Sequence, residues 1–276
     1  MTALLSIARR EFSSYFTTSI GYVVLGIFAA ISGVAFTLSL LGYAKMSLSP
    51  TAYGYTSTPD FAETFLSPYL VFCGTLIMFL APLITMRLVA EEKHRGTMEL
   101  LHTWPLRDRD IIFGKYLAAL GIVMLMLLII GIHLILVGVM SPMEPAVLVF
   151  GMLTVLLMGA AFISVGLFIS SISRNQITSG TITFGLSLFL FIAGSLSEQL
   201  PEGNPAPAAW PGILQSALGH VYALLRGLTL ELPVDAHARE MALGVVHPRD
   251  IGYYLLFSAF FLFLTFRAFE SRNWRA

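Results

Sequence analysis

Charged residues are scarce in this chain. Only 12% of its 276 residues are Asp, Glu, Lys or Arg, whereas a soluble globular domain carries about 25%. By contrast, 57% are hydrophobic and the mean hydropathy is +0.81. Such a composition leaves little water-facing surface, and the 16 basic and 16 acidic residues cancel. It therefore excludes an ordinary soluble domain and gives no reason to expect a nucleic acid as a partner.

Residues that carry chemistry are also few. The single cysteine, Cys73, lies in an apolar run, so it cannot form an internal disulfide. The six histidines are dispersed, and none has a second ligand at metal-binding spacing. There is no glycine-rich phosphate loop followed by Lys-Ser or Lys-Thr, and no serine in a nucleophile elbow. We therefore predict no catalytic residue, no metal and no cofactor in this chain.

Long apolar runs dominate what is present. A helix needs about 20 apolar residues to cross roughly 30 Å of hydrocarbon, and six segments qualify. They are residues 20–41, 69–86, 116–140, 147–170, 177–196 and 251–268. The alternating ten-residue segments of a membrane β-barrel are absent. The sequence therefore predicts an all-α polytopic membrane protein in one domain, 1–276, with six transmembrane helices.

One ionisable residue, His133, falls inside a predicted span. Such residues are functional candidates by default. A neutral histidine that bonds to a neighbouring helix is the simpler interpretation, and we favour it.

The basic residues predict the orientation of the six spans. If both termini are cytoplasmic, twelve of the 16 basic residues lie on the cytoplasmic side. These are Arg9, Arg10, Arg87, Lys93, Arg95, Arg107, Arg109, Lys115, Arg174, Arg267, Arg272 and Arg275. The other four are Lys45, Arg226, Arg239 and Arg249. Because basic residues accumulate on the cytoplasmic side of membrane proteins, this asymmetry favours cytoplasmic N and C termini.

The connection at 87–115 concentrates charge between the second and third spans. It is too short for a catalytic domain but long enough to bind another protein. We call this connection, residues 87–115, the handle. Glu91, Arg95 and Glu99 recur every four residues, so we expect them along one side of a helix. Gly96 would permit a sharp change of direction beside them. A merely solvated loop is the alternative interpretation.

The first eighteen residues are amphipathic. Apolar residues at 4, 5, 8, 12, 15 and 16 share one helical face, and Arg9 and Arg10 lie on the other. Glu11 lies near the apolar edge, so we expect it to have a partner. The helix is either a plain anchor at the membrane surface or an elbow whose Arg9, Arg10 and Glu11 also touch a cytoplasmic partner.

The segment 198–249 is predicted to be extracytoplasmic. It begins with the breaker-rich PEGNPAPAAWP. Apolar residues then recur at helical spacing from Ile213 to Leu225, which predicts a short helix at the outer surface. Whether this segment enters the membrane stays open.

Two stretches carry a family resemblance: RREFSSYFTTSIGYVVLGIF near the start, and PLITMRLVAEEKHRGTMELLHTWPLRDRDIIFGKYLAAL after the second span. The pattern is Arg87, Glu91-Glu92, Arg95-Gly96-Thr97, Glu99-Leu100-Leu101, Pro105 and Gly114-Lys115. With it the chain resembles the permease subunits of type-2 ABC exporters, and among them it is similar to the gliding-motility-type permeases.

The resemblance implies half of a twelve-helix dimer in a bacterial cytoplasmic (inner) membrane, with an ATPase subunit beneath each half. ATP and Mg²⁺ would bind the ATPase, and the loop after the second span would be the coupling element. The implied coupling residues are Glu91, Glu92, Arg95, Gly96, Thr97, Glu99 and Leu101. Further candidate partners are a second copy or a homologous permease, an extracytoplasmic accessory protein and membrane lipids.

The cargo is not specified by the sequence. Hydroxyl and aromatic residues at Thr75, Phe79, Thr181 and Ser187 are candidates for a translocation path, and they suit a lipid, a peptide or a polysaccharide equally well. Two other function classes remain: a structural or assembly membrane protein without transport, and an intramembrane enzyme, which would need a catalytic pair within the spans. Co-purification with an ATPase would distinguish a permease of the type-2 ABC exporter kind from both of these classes.

Overall fold

The computed structural model describes residues 3–96, 107–139, 144–197, 200, 201, 203, 205, 211–231, 234 and 237–270. Within these ranges the regular structure is helical, with no β-strand. Six of the helices are long and apolar enough to cross a membrane. The chain is therefore the all-α polytopic membrane protein that the sequence predicts.

The described α-helices are numbered in chain order. They are α1 (Ala3–Thr17), α2 (Ile20–Leu48), α3 (Ser67–Thr85), α4 (Ala90–His94), α5 (Asp108–Gly138), α6 (Pro145–Ile172), α7 (Gln176–Ser197), α8 (Gly212–Glu231), α9 (Ala238–Ala242) and α10 (Pro248–Glu270). A 3₁₀ turn covers Pro50–Tyr53, and a π-helical turn, Ala62–Leu66, leads into α3. Several helices extend beyond the predicted spans, since α2 continues to Leu48 and α5 begins at Asp108.

Helices α3 and α6 form the centre of the bundle, with α2, α5, α7 and α10 around them. Small residues allow the close approach of these helices. A Cβ atom on Gly166 of α6 would lie 2.1 Å from the Thr85 hydroxyl oxygen, and one on Gly74 of α3 would lie 2.5 Å from the Met158 sulfur. Packing of this kind, through small residues, joins helices in a membrane, where lipid is as apolar as the helices themselves.

His133 bonds to its neighbours within the bundle. Its Nδ1 lies 2.7 Å from the Tyr69 hydroxyl on α3, and its ring stacks on Phe36 of α2 with centroids 4.9 Å apart. Phe65, in the π-helical turn, continues this aromatic contact. The interpretation of His133 as a histidine bonded to a neighbouring helix is confirmed.

Helix α1 turns back and lies along α5 instead of continuing into α2. Ser19, at the junction, adopts a left-handed conformation with φ 61°. Gly114 and Gly121 of α5 leave room for Ile7 and Phe12: a Cβ on either glycine would come within 2.8 Å of those side chains. One expectation for this helix was wrong, because Ile7 is buried while Leu5 is 51% exposed. The stripe that faces the bundle runs through residues 4, 7, 8, 11, 12 and 15, of which 7 and 15 are buried and the rest, including Glu11, are half-buried.

The two ends of the bundle differ in composition. We call the end that carries α1, α4 and the first turns of α5 the charged end, and the end that carries α8 and α9 the far end. At the far end α9 packs on α6 and α3, whereas α8 contacts α7. The predicted helix of the 198–249 segment is therefore present as α8, and its large apolar residues Ile213, Leu214, Val221, Leu224 and Leu225 are exposed.

Candidate functional site

The predicted handle begins as α4, a helix of five residues just after α3. The backbone N–H groups of Val89 and Ala90 both donate to the Ser170 hydroxyl of α6, each at 3.1 Å. Lys93 donates its ammonium to the backbone carbonyl of Ser171. The two bonds to Ser170 satisfy amide groups that a helix N-terminus leaves without intrahelical partners. The fourth span thus holds the base of the handle, a contact that the sequence pattern did not indicate.

Glu91 is held within the molecule between two arginines. Its carboxylate accepts from Arg87 Nε at 2.7 Å and pairs with Arg95 Nη2 at 2.6 Å. Arg87 also donates to the Thr18 hydroxyl at 2.6 Å, at the junction of α1 and α2. The i,i+4 pair of Glu91 and Arg95 is therefore present, as expected, but Glu91 braces the handle against the rest of the chain.

Glu92 points inward to a buried lysine. Lys115 of α5 is 1% exposed, and its ammonium donates to Glu92 at 2.8 Å and lies 3.4 Å from Glu11 of α1. Arg10 completes the group, 2.8 Å from Glu11 and 3.8 Å from Glu92. We call these four residues the Lys115 network. It confirms that Glu11 has a partner, and it joins α1, α4 and α5 through charge.

The environment of the Lys115 network keeps the Glu11 carboxylate charged. Burial alone would raise the pKa of the Glu11 carboxyl, but Lys115 and Arg10 outweigh it, so the pKa lies below its ordinary value. Close by, burial raises the pKa of the Tyr15 hydroxyl, which therefore stays protonated. That hydroxyl donates to the Ile84 carbonyl at 2.7 Å and ties α1 to the last turn of α3.

The exposed part of the handle is its end. Helix α4 stops at His94, and Gly96 adopts φ +70°, a left-handed conformation that favours glycine. Gly96 thus has a backbone conformation that permits a sharp turn, and the helix that carries Glu91 ends before it. Arg95, at the turn, is 67% exposed. Of the remaining candidate coupling residues, Thr97, Glu99 and Leu101 lie outside the described residues.

A polar cavity of about 220 Å³ opens beside the handle. It is lined by Glu11, Ser14, Tyr15, Arg87, Leu88, Glu91, Glu92, Arg95 and Lys115. Three carboxylates and three cations thus face one space between α1, α4 and α5. The polar face of α1 beyond it exposes Arg9 and Arg10.

The four candidate path residues occupy two different surroundings. Thr75 and Phe79 of α3 are partly exposed, and Phe79 contacts the rings of Phe184 and Phe191 on α7. Thr181 of α7 is exposed. Ser187 is buried, and its hydroxyl has no hydrogen-bond partner in the described part of the chain. The structure therefore brings Phe79 to α7 but does not place all four side chains around one space.

A further buried pair lies at the far end, where sequence spacing gave no indication of it. His237 Nδ1 lies 2.8 Å from the Asp250 carboxylate, and the His237 ring stacks on Tyr253 with centroids 4.2 Å apart. Tyr254 donates to the Val234 carbonyl at 2.6 Å. In the ranges that the structure describes, no group of three or more His, Cys, Asp or Glu residues is placed to hold a metal ion. The His237–Asp250 pair joins α10 to the segment that precedes it.

Comparison with known proteins identifies the family. Residues 40–267 match the family described as ABC-2 family transporter protein. The chain is also 26% identical over 236 residues to a protein of Pseudomonas aeruginosa named probable ABC transporter permease protein NosY, a match that covers 75% of this chain and 85% of that protein. The family match spans the second to sixth membrane helices and the handle between them. This chain belongs to the ABC-2 family of transporter proteins.

Proposed function

We propose that this chain is the membrane-spanning permease subunit of an ATP-driven exporter, and that its charged end is cytoplasmic and binds a separate ATPase subunit. The observation that carries the proposal is the handle itself. Its described part is a short helix that ion pairs brace against the rest of the bundle, followed by a glycine turn with an exposed arginine. The similarity to a protein named as a probable ABC transporter permease supports the same conclusion. ATP and Mg²⁺ would bind the ATPase.

The coupling residues differ in whether they pair within this chain or are exposed to a partner. Glu91 and Glu92 pair with cations of this same chain, so their role is to hold the handle in place. Arg95 is the exposed member, and Gly96 sets the direction in which the chain leaves it. We propose that Arg95 and the turn at Gly96 contact the ATPase, with the polar face of α1 nearby.

Charge reversal at Arg95 tests the docking. Arg95→Glu should weaken capture of the ATPase roughly tenfold or more, since like-charge contacts in an interface cost several kcal/mol. The matched control is Arg267→Glu, because Arg267 is 64% exposed, pairs with Glu270 and lies at the same end of the bundle. The measurement is pull-down of the ATPase with the purified permease. Equal capture by both variants would mean that the handle is a solvated connector.

The turn at Gly96 permits a second test. Gly96→Val places a β-branched residue at φ +70°, where an L-residue is strained by about 1–2 kcal/mol. The turn should relax, so ATP hydrolysis should no longer respond to assembly with the permease. Gly54→Val is the control, since Gly54 has φ +81° and open space around it at the opposite end of α2. Loss of coupling in both variants would point to general damage.

Orientation is tested by labelling. Cysteines at Asp60, between α2 and α3, and at Arg107, just before α5, lie at opposite ends of the bundle, and both positions are exposed. The native Cys73 is fully buried, so it adds little background. A membrane-impermeant maleimide should label Asp60→Cys in intact cells and Arg107→Cys only after lysis. External labelling at Arg107 would invert the proposed topology.

We also propose a dimer in which a second copy covers the face between α2 and α7. Both helices pack on α3, and one strip of α3 stays exposed or partly exposed, at Phe72, Thr75, Phe79 and Leu83. In a dimer this strip would line a path between the two copies, which accounts for Thr75 and Phe79 as path residues. The exposed residues Ile27 of α2 and Ile182 of α7 lie at similar depth from the charged end.

Crosslinking tests this dimer. Cysteines at Ile27 in one copy and Ile182 in another should crosslink. A matched pair at Ile27 and Phe263 of α10, which is also exposed near that depth, should not. Crosslinking of the control pair alone would move the dimer interface to α10.

A further inference from the structure

A buried lysine in a membrane protein needs a reason. Lys115 lies in the second turn of α5, and only 1% of its side chain is exposed. Burying an isolated ammonium costs several kcal/mol, and the cost is offset only by well-placed carboxylates. The two carboxylates that offset it come from two other helices, Glu92 of α4 and Glu11 of α1. The lysine is therefore stable only while α1, α4 and α5 keep their relative positions.

Apolar packing joins only some of these helices closely. Helix α1 is already fixed to α5, because Ile7 and Phe12 fill the spaces left by Gly114 and Gly121. Helix α4, in contrast, packs its backbone on α6 and α7. It contacts α5 through the ion pair of Glu92 with Lys115. That pair thus attaches the handle to a body made of the elbow helix and the third span.

We propose that Lys115 is the residue through which movement of the handle reaches the third span and the elbow helix. This inference rests on the proposed coupling of the handle to an ATPase. Lys115 is a positioning residue: it is buried behind the handle and acts through Glu92. A displacement of α4 then carries α5 and α1 with it, because separating Glu92 from Lys115 would break the shortest ion pair of the buried ammonium. The handle accordingly drives the third span as well as the second, from which it continues directly.

The test uses the permease assembled with its ATPase in lipid vesicles. Spin labels at Arg109→Cys on α5 and Arg174→Cys after α6 report the distance between two exposed sites at the charged end. The key variant replaces the three buried or half-buried charges together, Glu11→Gln, Glu92→Gln and Lys115→Met, so that no buried charge is left without a partner; Arg10, which remains, is 60% exposed. Lys115→Arg is the conservative variant. Lys45→Met is the control, since Lys45 is exposed at the opposite end of α2.

Addition of ATP, Mg²⁺ and vanadate should change the 109–174 distance in the wild-type complex. In the triple variant we expect unchanged capture of the ATPase and continued ATP hydrolysis, with the distance change reduced at least by half. Lys115→Arg keeps the buried cation, so it should retain most of the wild-type distance change. Lys45→Met should show the same distance change as the wild type.

Two results would overturn the role of Lys115. One is a triple variant with the full wild-type distance change. The other is a triple variant that no longer captures the ATPase, which would make the Lys115 network part of the docking surface. A wild-type permease that captures no ATPase is a different result, since it would remove the proposed function itself and this inference with it.

Discussion

The charged end and the far end of the bundle attach their connecting segments through different interactions. At each end a segment that follows or precedes a membrane helix must be fixed to the bundle. At the far end the buried pair of His237 and Asp250 does so, together with aromatic stacking and the hydrogen bond of Tyr254 to the Val234 carbonyl. At the charged end the Lys115 network and the arginine clamp on Glu91 connect α1, α3, α4 and α5. A polar cavity also lies beside these ion pairs.

This difference is informative about movement. The stacked rings of His237 and Tyr253 favour one arrangement, because close-packed side chains respond sharply to displacement. The charges of the Lys115 network are shared among α1, α4 and α5, so a displacement of one of these helices is passed to the other two. We therefore infer that the far end fixes the segment before α10 in one position, whereas the charged end transmits displacement. The predictions below test that contrast, beginning with the largest expected effect.

Removal of the carboxylate at the far end should have the largest effect on stability. Asp250→Ala leaves His237 without its buried partner, at a cost of about 3 kcal/mol. The control is Glu240→Ala, which removes an exposed contact with His247 and should cost about 0–1 kcal/mol. Thermal unfolding in detergent measures both. The captured ATPase should remain bound to Asp250→Ala, and its loss would contradict the separation of the two ends.

A matched pair of tyrosines compares the ends directly. Tyr15 and Tyr254 are both buried, and each donates its hydroxyl to a backbone carbonyl of another element, Ile84 and Val234 respectively. Replacing either by Phe leaves that carbonyl unsatisfied, so each change should destabilise the protein by about 1–2 kcal/mol.

The two tyrosine variants should differ in function. Tyr15→Phe loosens α1 from the end of α3, so the response of ATP hydrolysis to permease assembly should fall. Tyr254→Phe should leave that response unchanged at equal loss of stability. If both variants reduce the response equally, stability alone accounts for it and the charged end has no special part in coupling.

How far the sequence predicts this molecule depends on how local each feature is. Six spans, the amphipathic α1 and the turn at Gly96 follow from composition, periodicity and residue type, all of which are local. The sequence also predicts that Glu11 has a partner, because a carboxylate on an apolar edge needs one, but it does not name Lys115. A clue was present, since Lys115 is a single cation at the start of a long apolar run and therefore had to be paired.

Other contacts depend on how the helices assemble. Ser170 caps α4 from a helix later in the chain, and periodicity within either segment does not reveal that approach. His237 and Asp250 are 13 residues apart, and their contact depends on the turn at Gly244 between them, which has φ +84°. The extent of α4 was not predicted either, because the four-residue spacing of Glu91, Arg95 and Glu99 suggested a longer helix than Ala90–His94.

The smallest expected effect concerns pH, and it separates the ends by the behaviour of Glu11. Its pKa lies below the ordinary value in the folded protein, because Lys115 and Arg10 outweigh the effect of burial. A carboxyl with a depressed pKa stabilises the fold above its unfolded pKa, about 4.3, and this contribution is lost as the pH falls through the folded pKa. Attachment of α1 should therefore be constant from pH 8 to 5 and weaken only below about pH 4.

Hydrogen exchange of the α1 amides measures this attachment, with exchange at each pH corrected for its intrinsic rate. Glu11→Gln is the control, because it cannot titrate and should show weaker protection of α1 that does not change over the same range. A loss of protection between pH 7 and 5 in the wild type alone would show that Glu11 is protonated there, and the Lys115 network could not then act as a charged link at neutral pH.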